Sequence, residues 1–235
     1  MARTAKPSTD PLPFEGFAPD AFDFFTELDT HQTREWFLEH KQRYETSIHQ
    51  PLGALVTSLS LAFAAHDIPL IGDPKTSLFR INRDVRFSND KRPYKTNASA
   101  VLTRDGTKRS QGLVYIQLGP DECFAAAGFY ALEPDQLEAF RRHILAQPNK
   151  WAGVVAALSA GGMELSHDDA TVRLPRGFDA ASVGKLVDTI RLKSFVVRMP
   201  LTRHQIASSD LIDEIVGMAR ATMPLLEFGW AALRK

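Results

Sequence analysis

The sequence predicts one α+β domain, with a helical N-terminal third, an antiparallel β-sheet centre and further helices packed on the sheet. Three patterns predict it. Apolar residues recur at spacings of three and four up to Phe63, the spacing changes to two after Ser77, and helical spacing returns at Pro134. A chain of 235 residues with 44% hydrophobic composition buries a full core as one domain. Residues 1–13 read as a flexible leader and 14–235 as the domain, because Pro7, Pro11 and Pro13 punctuate a stretch poor in bulky apolar groups.

Pro19 and Asp20 suit a helix start, with Phe22, Phe25 and Leu28 on one face. Trp36, Phe37, His40, Tyr44 and Ile48 form the stripe of a second helix over 33–48, and truncating a core tryptophan at 36 should cost about 3–5 kcal/mol. Pro51 opens a third helix with Leu52, Leu55, Val56, Leu59 and Phe63 inward. In the next segment Phe79, Ile81, Val85 and Phe87 alternate with Arg80, Asn82, Asp84 and Arg86, the clearest strand pattern in the chain. Residues 98–103, 112–118 and 122–129 are further strands, joined by Arg104-Asp105-Gly106 and Gly119-Pro120-Asp121 turns into a meander. Helices follow at Pro134 and Pro148. Residues 163–166 and 171–174 read as a hairpin, and 194–199 as another strand. A last helix starts near Ser209 or Asp210, with Pro224 breaking or kinking it.

Lys+Arg and Asp+Glu each total 28, which excludes a general polyanion binder and leaves any electrostatic function local. The single cysteine, Cys123, excludes an internal disulfide and any CxxC site. With no apolar run of signal-peptide length before Phe14, a reducing, cytoplasmic setting is expected. The uncharged run 50–66 is broken by Pro51, Gly53 and three hydroxyl residues, so it reads as a buried helix and no membrane association is expected. GxGxxG, P-loop, HExxH and GxSxG signatures do not occur, and Gly184-Lys185-Leu186 lacks the hydroxyl residue and glycine-rich loop of a phosphate cradle. His167-Asp168-Asp169 is ordinary turn chemistry and His40 sits on an apolar stripe. No cofactor or metal is assigned by these residues.

The informative stretch is 80–95, where six basic and two acidic side chains give a local charge of +4 in a neutral chain. Alternation sends Arg80, Asn82, Asp84 and Arg86 to one face and Arg83 to the other with Ile81 and Val85. An enclosed Arg83 must meet an acid, carbonyl groups or a bound anion. Pro93 stiffens the loop that carries Tyr94 and Lys95.

Arg-x-x-Arg-Asp-x-Arg-Phe followed by Asp-Lys-x-x-Tyr-Lys resembles the motif of the family called domain of unknown function 2461. The opening residues Arg34, Trp36-Phe37, Lys41, Tyr44 and Pro51, and the later Leu174-Pro175-Arg176-Gly177-Phe178, also look like that family. The resemblance covers nearly the whole chain. It implies a mostly bacterial, single-domain protein without an assigned activity, so it leaves open whether the chain is an enzyme.

Three readings of the motif follow. In the first, Arg80, Arg83, Arg86, Asp90, Lys91, Tyr94 and Lys95 form a site for a small ligand bearing phosphate or carboxylate, with Asp84 as the acid or base should there be turnover. In the second, the same charges make a noncatalytic module for nucleic acid or an acidic partner. In the third they are a structural ion-pair network, since residues 10–45 hold nine acids against three bases and could cover the motif.

Overall fold

The computed structural model describes residues 13–86 and 89–234. The leader over 1–12 and the expected inward Phe87 lie outside the described residues. The chain folds as α+β, with one four-stranded antiparallel sheet and helices packed on it.

Helix α1, Asp20–Thr30, starts after Pro19 with Asp20 and Asp23 in its first turn, where carboxylates complement the helix dipole. It buries Phe22, Phe24, Phe25 and Leu28. Thr33 caps α2, Arg34–Glu39, by accepting the Trp36 N–H. Helix α3, Lys41–Tyr44, a π turn at Glu45–His49 and α4, Gln50–Ala65, then run on as one 25-residue rod. The two helices expected over this region are therefore divided elsewhere. The break falls at His40, outside helical geometry at φ −102°, ψ 9°, while Pro51 is absorbed because the wider π turn holds Ser47, the carbonyl its ring would strike. The rod is long and apolar enough to cross a bilayer by length and composition alone, yet Leu52, Leu55, Val56, Leu59 and Phe63 are buried in this core.

After the single turn α5, Pro74–Ser77, capped by Asp73, the chain is extended but forms no regular strand over 78–86. This corrects the strand expected from the clean alternation. Only isolated bridges, Leu78 with Ala100 and Asn82 with Tyr94, tie the segment to its neighbour. Leu78 and Asn82 lie four residues apart while their partners Ala100 and Tyr94 lie six apart, so the opposing chain bulges and a continuous ladder cannot form.

Strands β1 (Ala98–Thr103), β2 (Leu113–Leu118) and β3 (Phe124–Phe129) make the expected meander. Helices α6 (Pro134–Ala146) and α7 (Pro148–Ala160) follow, then α8 (Ala180–Val183), a 3₁₀ turn at Gly184–Leu186 and α9 (Val187–Arg191). Strand β4, Phe195–Pro200, closes the order β1-β2-β3-β4. The hairpin expected over 163–174 is absent because its halves bond different partners: Leu165 bridges Val197, whereas the Thr171 N–H reaches the Arg191 carbonyl. A short α10, Arg203–Ile206, leads to α11, Leu211–Ala232, which runs through Pro224 as one helix.

Strand alternation gives the sheet two unlike faces. Ala100, Leu102, Val114, Ile116, Ala125, Ala127, Phe129, Phe195 and Val197 are buried on one, against α4 at β1 and α11 at β3. Phe140 of α6 sits at the centre of this layer, stacked on Phe195 at 4.1 Å and edge-on to Phe129 at 5.2 Å. Val101, Leu113, Tyr115, Gln117, Phe124, Ala126, Val196 and Arg198 point the other way and line an open hollow.

Candidate functional site

The motif is held against the core from both ends. Ile81 and Tyr94 are buried, the Tyr94 ring stacks on Phe37 at 4.5 Å, and its N–H donates to Gln32 Oε1 at 3.1 Å. The hydrogen bonds Arg83 N–H to Pro93 O and Lys95 N–H to Ile81 O, each 2.8 Å, bind the two arms together. Tyr94 therefore serves as an anchor inside the core.

The acids of the motif are taken up by its arginines. Arg83, half-buried on the face with Ile81, donates to Asp90 at 2.6 Å, which is the acid its enclosure required. Arg92 also grips Asp90, at 2.8 Å, and reaches Asp29 of α1. Asp29 is thus one acid of the N-terminal third that does cover the motif. Others turn elsewhere: Asp20 and Glu27 both bind Arg43, at 2.7 and 2.8 Å. Arg86 holds Asp84 at 2.7 and 3.0 Å, and Lys91 donates to the Val85 carbonyl at 2.9 Å. The side-chain bonds from Arg86 hold the Asp84 carboxyl well below the usual range, and those from Arg92 do the same to Asp90. Asp84 consequently stays ionised at neutral pH, where it can accept hydrogen bonds and orient an arginine but has no proton to donate.

Arg80, Lys95 and Lys108 have no carboxylate within ion-pairing distance among the described residues. The Lys95 and Lys108 ammonium groups lie 5.6 and 5.0 Å from the centre of the Phe79 ring. Lys108 also donates to the Leu78 carbonyl. Burial pushes the Lys95 pKa down, and the positive charges of Arg80, Lys108 and Arg83 push it further. A recess of about 350 Å³ between Arg83, Asp84, Arg92, Lys95, Thr96 and Asn97 opens beside this cluster.

Phe79 also borders the larger hollow on the open sheet face, a cavity of about 600 Å³. From Phe79 a row of rings crosses that face: Tyr115 lies 6.2 Å away and Phe124 a further 5.7 Å, under the Arg198 guanidinium at 3.7 Å. Tyr115 donates to Gln117 Oε1 at 2.9 Å, and Gln117 donates to Glu122 at 3.2 Å, which Arg198 also binds. Burial raises the Tyr115 pKa, so its hydroxyl remains a donor. Ser166, Asp168 and Asp169 stand at the far rim.

Sequence reasoning named Arg80 and Lys95 and passed over Lys108, Phe79 and Tyr115, which the fold brings beside Lys95. A signal was available in β2, where Leu113 and Tyr115 are apolar on the face opposite Val114, Ile116 and Leu118. A strand apolar on both sides has a use for its second face. No cluster of His, Cys, Asp or Glu among the described residues is arranged to hold a metal ion.

The profile of one family, conserved hypothetical protein DUF2461, matches residues 20–228. The chain belongs to that family. A comparison with curated proteins finds no match. The matched range spans the helical opening, residues 80–95 and all four strands of the sheet.

Proposed function

We propose that this DUF2461 protein binds a small molecule through a phosphate or carboxylate, with Arg80, Lys95 and Lys108 as the donors. One observation carries the reading: the Lys95 and Lys108 ammonium groups both lie over Phe79, the charge of Arg80 also acts on Lys95, and none of the three has a carboxylate within ion-pairing distance among the described residues, whereas Arg83, Arg86 and Arg92 each meet one. Like charges brought together at a half-buried lysine repel one another, and an anion between them removes that cost. Arg83, Arg86, Asp90, Lys91 and Tyr94 act around this centre by fixing the two arms, and Asp84 is positioned beside the recess as an ionised acceptor. A neutral chain and the carboxylates of Asp168 and Asp169 at the cavity rim favour a small ligand over a polyanion such as nucleic acid.

Thermal unfolding with inorganic phosphate, acetate or citrate, each compared with potassium chloride at equal ionic strength, tests the reading. Phosphate is expected to raise the melting temperature of the wild type beyond the chloride control, and to lose that increment in Lys95→Gln and Lys108→Gln. An increment equal to chloride for every anion would remove the proposal.

A further inference from the structure

The geometry points to a ligand in two parts, a planar ring on the open sheet face joined to the anionic group held by Arg80, Lys95 and Lys108. This rests on the anion-site reading and extends it to a ligand class: small aromatic acids or phosphate esters. The cation cluster and the hollow share Phe79, whose ring carries both ammonium groups and borders the cavity. An anion seated there leaves the rest of its molecule facing Phe79 and Tyr115, with Phe124 beyond them already covered by Arg198. The floor beside Tyr115 is shallow-sided because Ala126 stands directly opposite it in the β2–β3 register, which leaves room for a ring to lie. A cavity of about 600 Å³ falls within the roughly 300–1,000 Å³ of small-molecule sites, and most of its lining area is apolar, with polar and charged side chains such as Lys108, Gln117, Asp168 and Arg198 around it. Polar specificity is available from the Tyr115 hydroxyl and Gln117, which already form one hydrogen-bonded pair.

Titration calorimetry of the full chain with inorganic phosphate, phenyl phosphate, benzoate, acetate and phenol tests the inference. Phenyl phosphate is expected to bind at least about tenfold more tightly than inorganic phosphate, and benzoate more tightly than acetate, since ring stacking on aromatic side chains is worth that much. Ala126→Leu should fill the floor and bring phenyl phosphate down to the affinity of inorganic phosphate, while phosphate itself binds as before. Equal binding of phenyl and inorganic phosphate in the wild type would overturn the two-part ligand and leave the anion site standing. Absence of phosphate binding would overturn both. A short oligothymidylate binding more tightly than phenyl phosphate would also overturn it, by assigning the face to single-stranded nucleic acid. The wild-type comparison decides the matter even if Ala126→Leu does not fold.

Discussion

Two glycines of α11 offer a paired test of how the helix layer sits on the sheet. A methyl group added at Gly229 would lie 2.1 and 2.3 Å from two atoms of the Phe129 ring and 2.6 Å from the Phe140 ring, whereas one added at Gly217 meets nothing within 4 Å. Alanine favours a helix over glycine by about 0.8–1.0 kcal/mol at either position. At Gly217, which is exposed, that preference acts alone and Gly217→Ala should stabilise by up to about 1 kcal/mol. At Gly229 the rings must move by about 1 Å or more to restore normal contact, and both Phe129 and Phe140 are completely buried, packed on each other, with Phe140 also against Phe195 and Phe228. Overpacking of this kind costs about 1–3 kcal/mol or more, which exceeds the helix preference. Gly229→Ala should therefore lower stability by up to about 2 kcal/mol net. Urea unfolding read by tryptophan fluorescence measures both variants, and a shorter ring partner in Gly229→Ala/Phe129→Leu should recover part of the loss through non-additivity. If Gly229→Ala were as stable as Gly217→Ala, α11 would not be seated on Phe129 and Phe140 as described.

Three further outcomes follow from particular contacts. Trp36 is half-buried, stacked on His40 at 4.0 Å, so Trp36→Ala should cost about 2 kcal/mol, less than the 3–5 kcal/mol of a fully buried core ring; denaturant unfolding checks this, and no change would detach α2 from the core. The bonds from Arg43 hold the Asp20 and Glu27 carboxyls below their ordinary 3.8 and 4.5, so their contribution is present above those values and lost as pH falls through the folded-state values. Both acids are about half exposed, which limits each to about 1 kcal/mol or less, and Arg43→Met should flatten this part of the acid-unfolding curve; an unchanged curve would contradict the linkage. Arg141 is 6% exposed, bonded through Nη2 to the Leu192 carbonyl at 2.7 Å with its Nε unpartnered, so Arg141→Met should leave stability equal or higher, and a loss above about 3 kcal/mol in urea unfolding would show that its charge is compensated more fully than these contacts indicate.

Much of the architecture was legible because its periodicities are clean. Phe22, Phe25 and Leu28, the β1–β3 meander and the helices opened by Pro134 and Pro148 follow directly from spacing and turn residues. Alternation failed at 78–86 because it reports which way side chains point, and they do alternate in burial, but it does not report whether a partner strand keeps register. Pro51 does stand in the first turn of α4 as expected; what local pattern did not report is the π turn that joins α3 to α4 without a break. At the candidate site the sequence located the charges but not their sorting. That Asp90 and Asp84 take Arg83, Arg92 and Arg86, leaving Arg80 and Lys95 to join Lys108 from the β1–β2 turn, depends on distances across the fold that no local pattern encodes.

The central claim, that an anion belongs between Arg80, Lys95 and Lys108, is tested most directly at Lys95 itself. Titration of its side-chain ¹³Cε signal by NMR, assigned through Lys95→Gln, gives its pKa with and without inorganic phosphate at constant ionic strength. Burial and neighbouring cations depress the free value, and a bound anion favours the charged form, so phosphate should raise the Lys95 pKa while a solvent-exposed reference such as Lys75 stays fixed. A Lys95 pKa that does not move with phosphate, or moves only as Lys75 does, would contradict the account and leave the motif as scaffold.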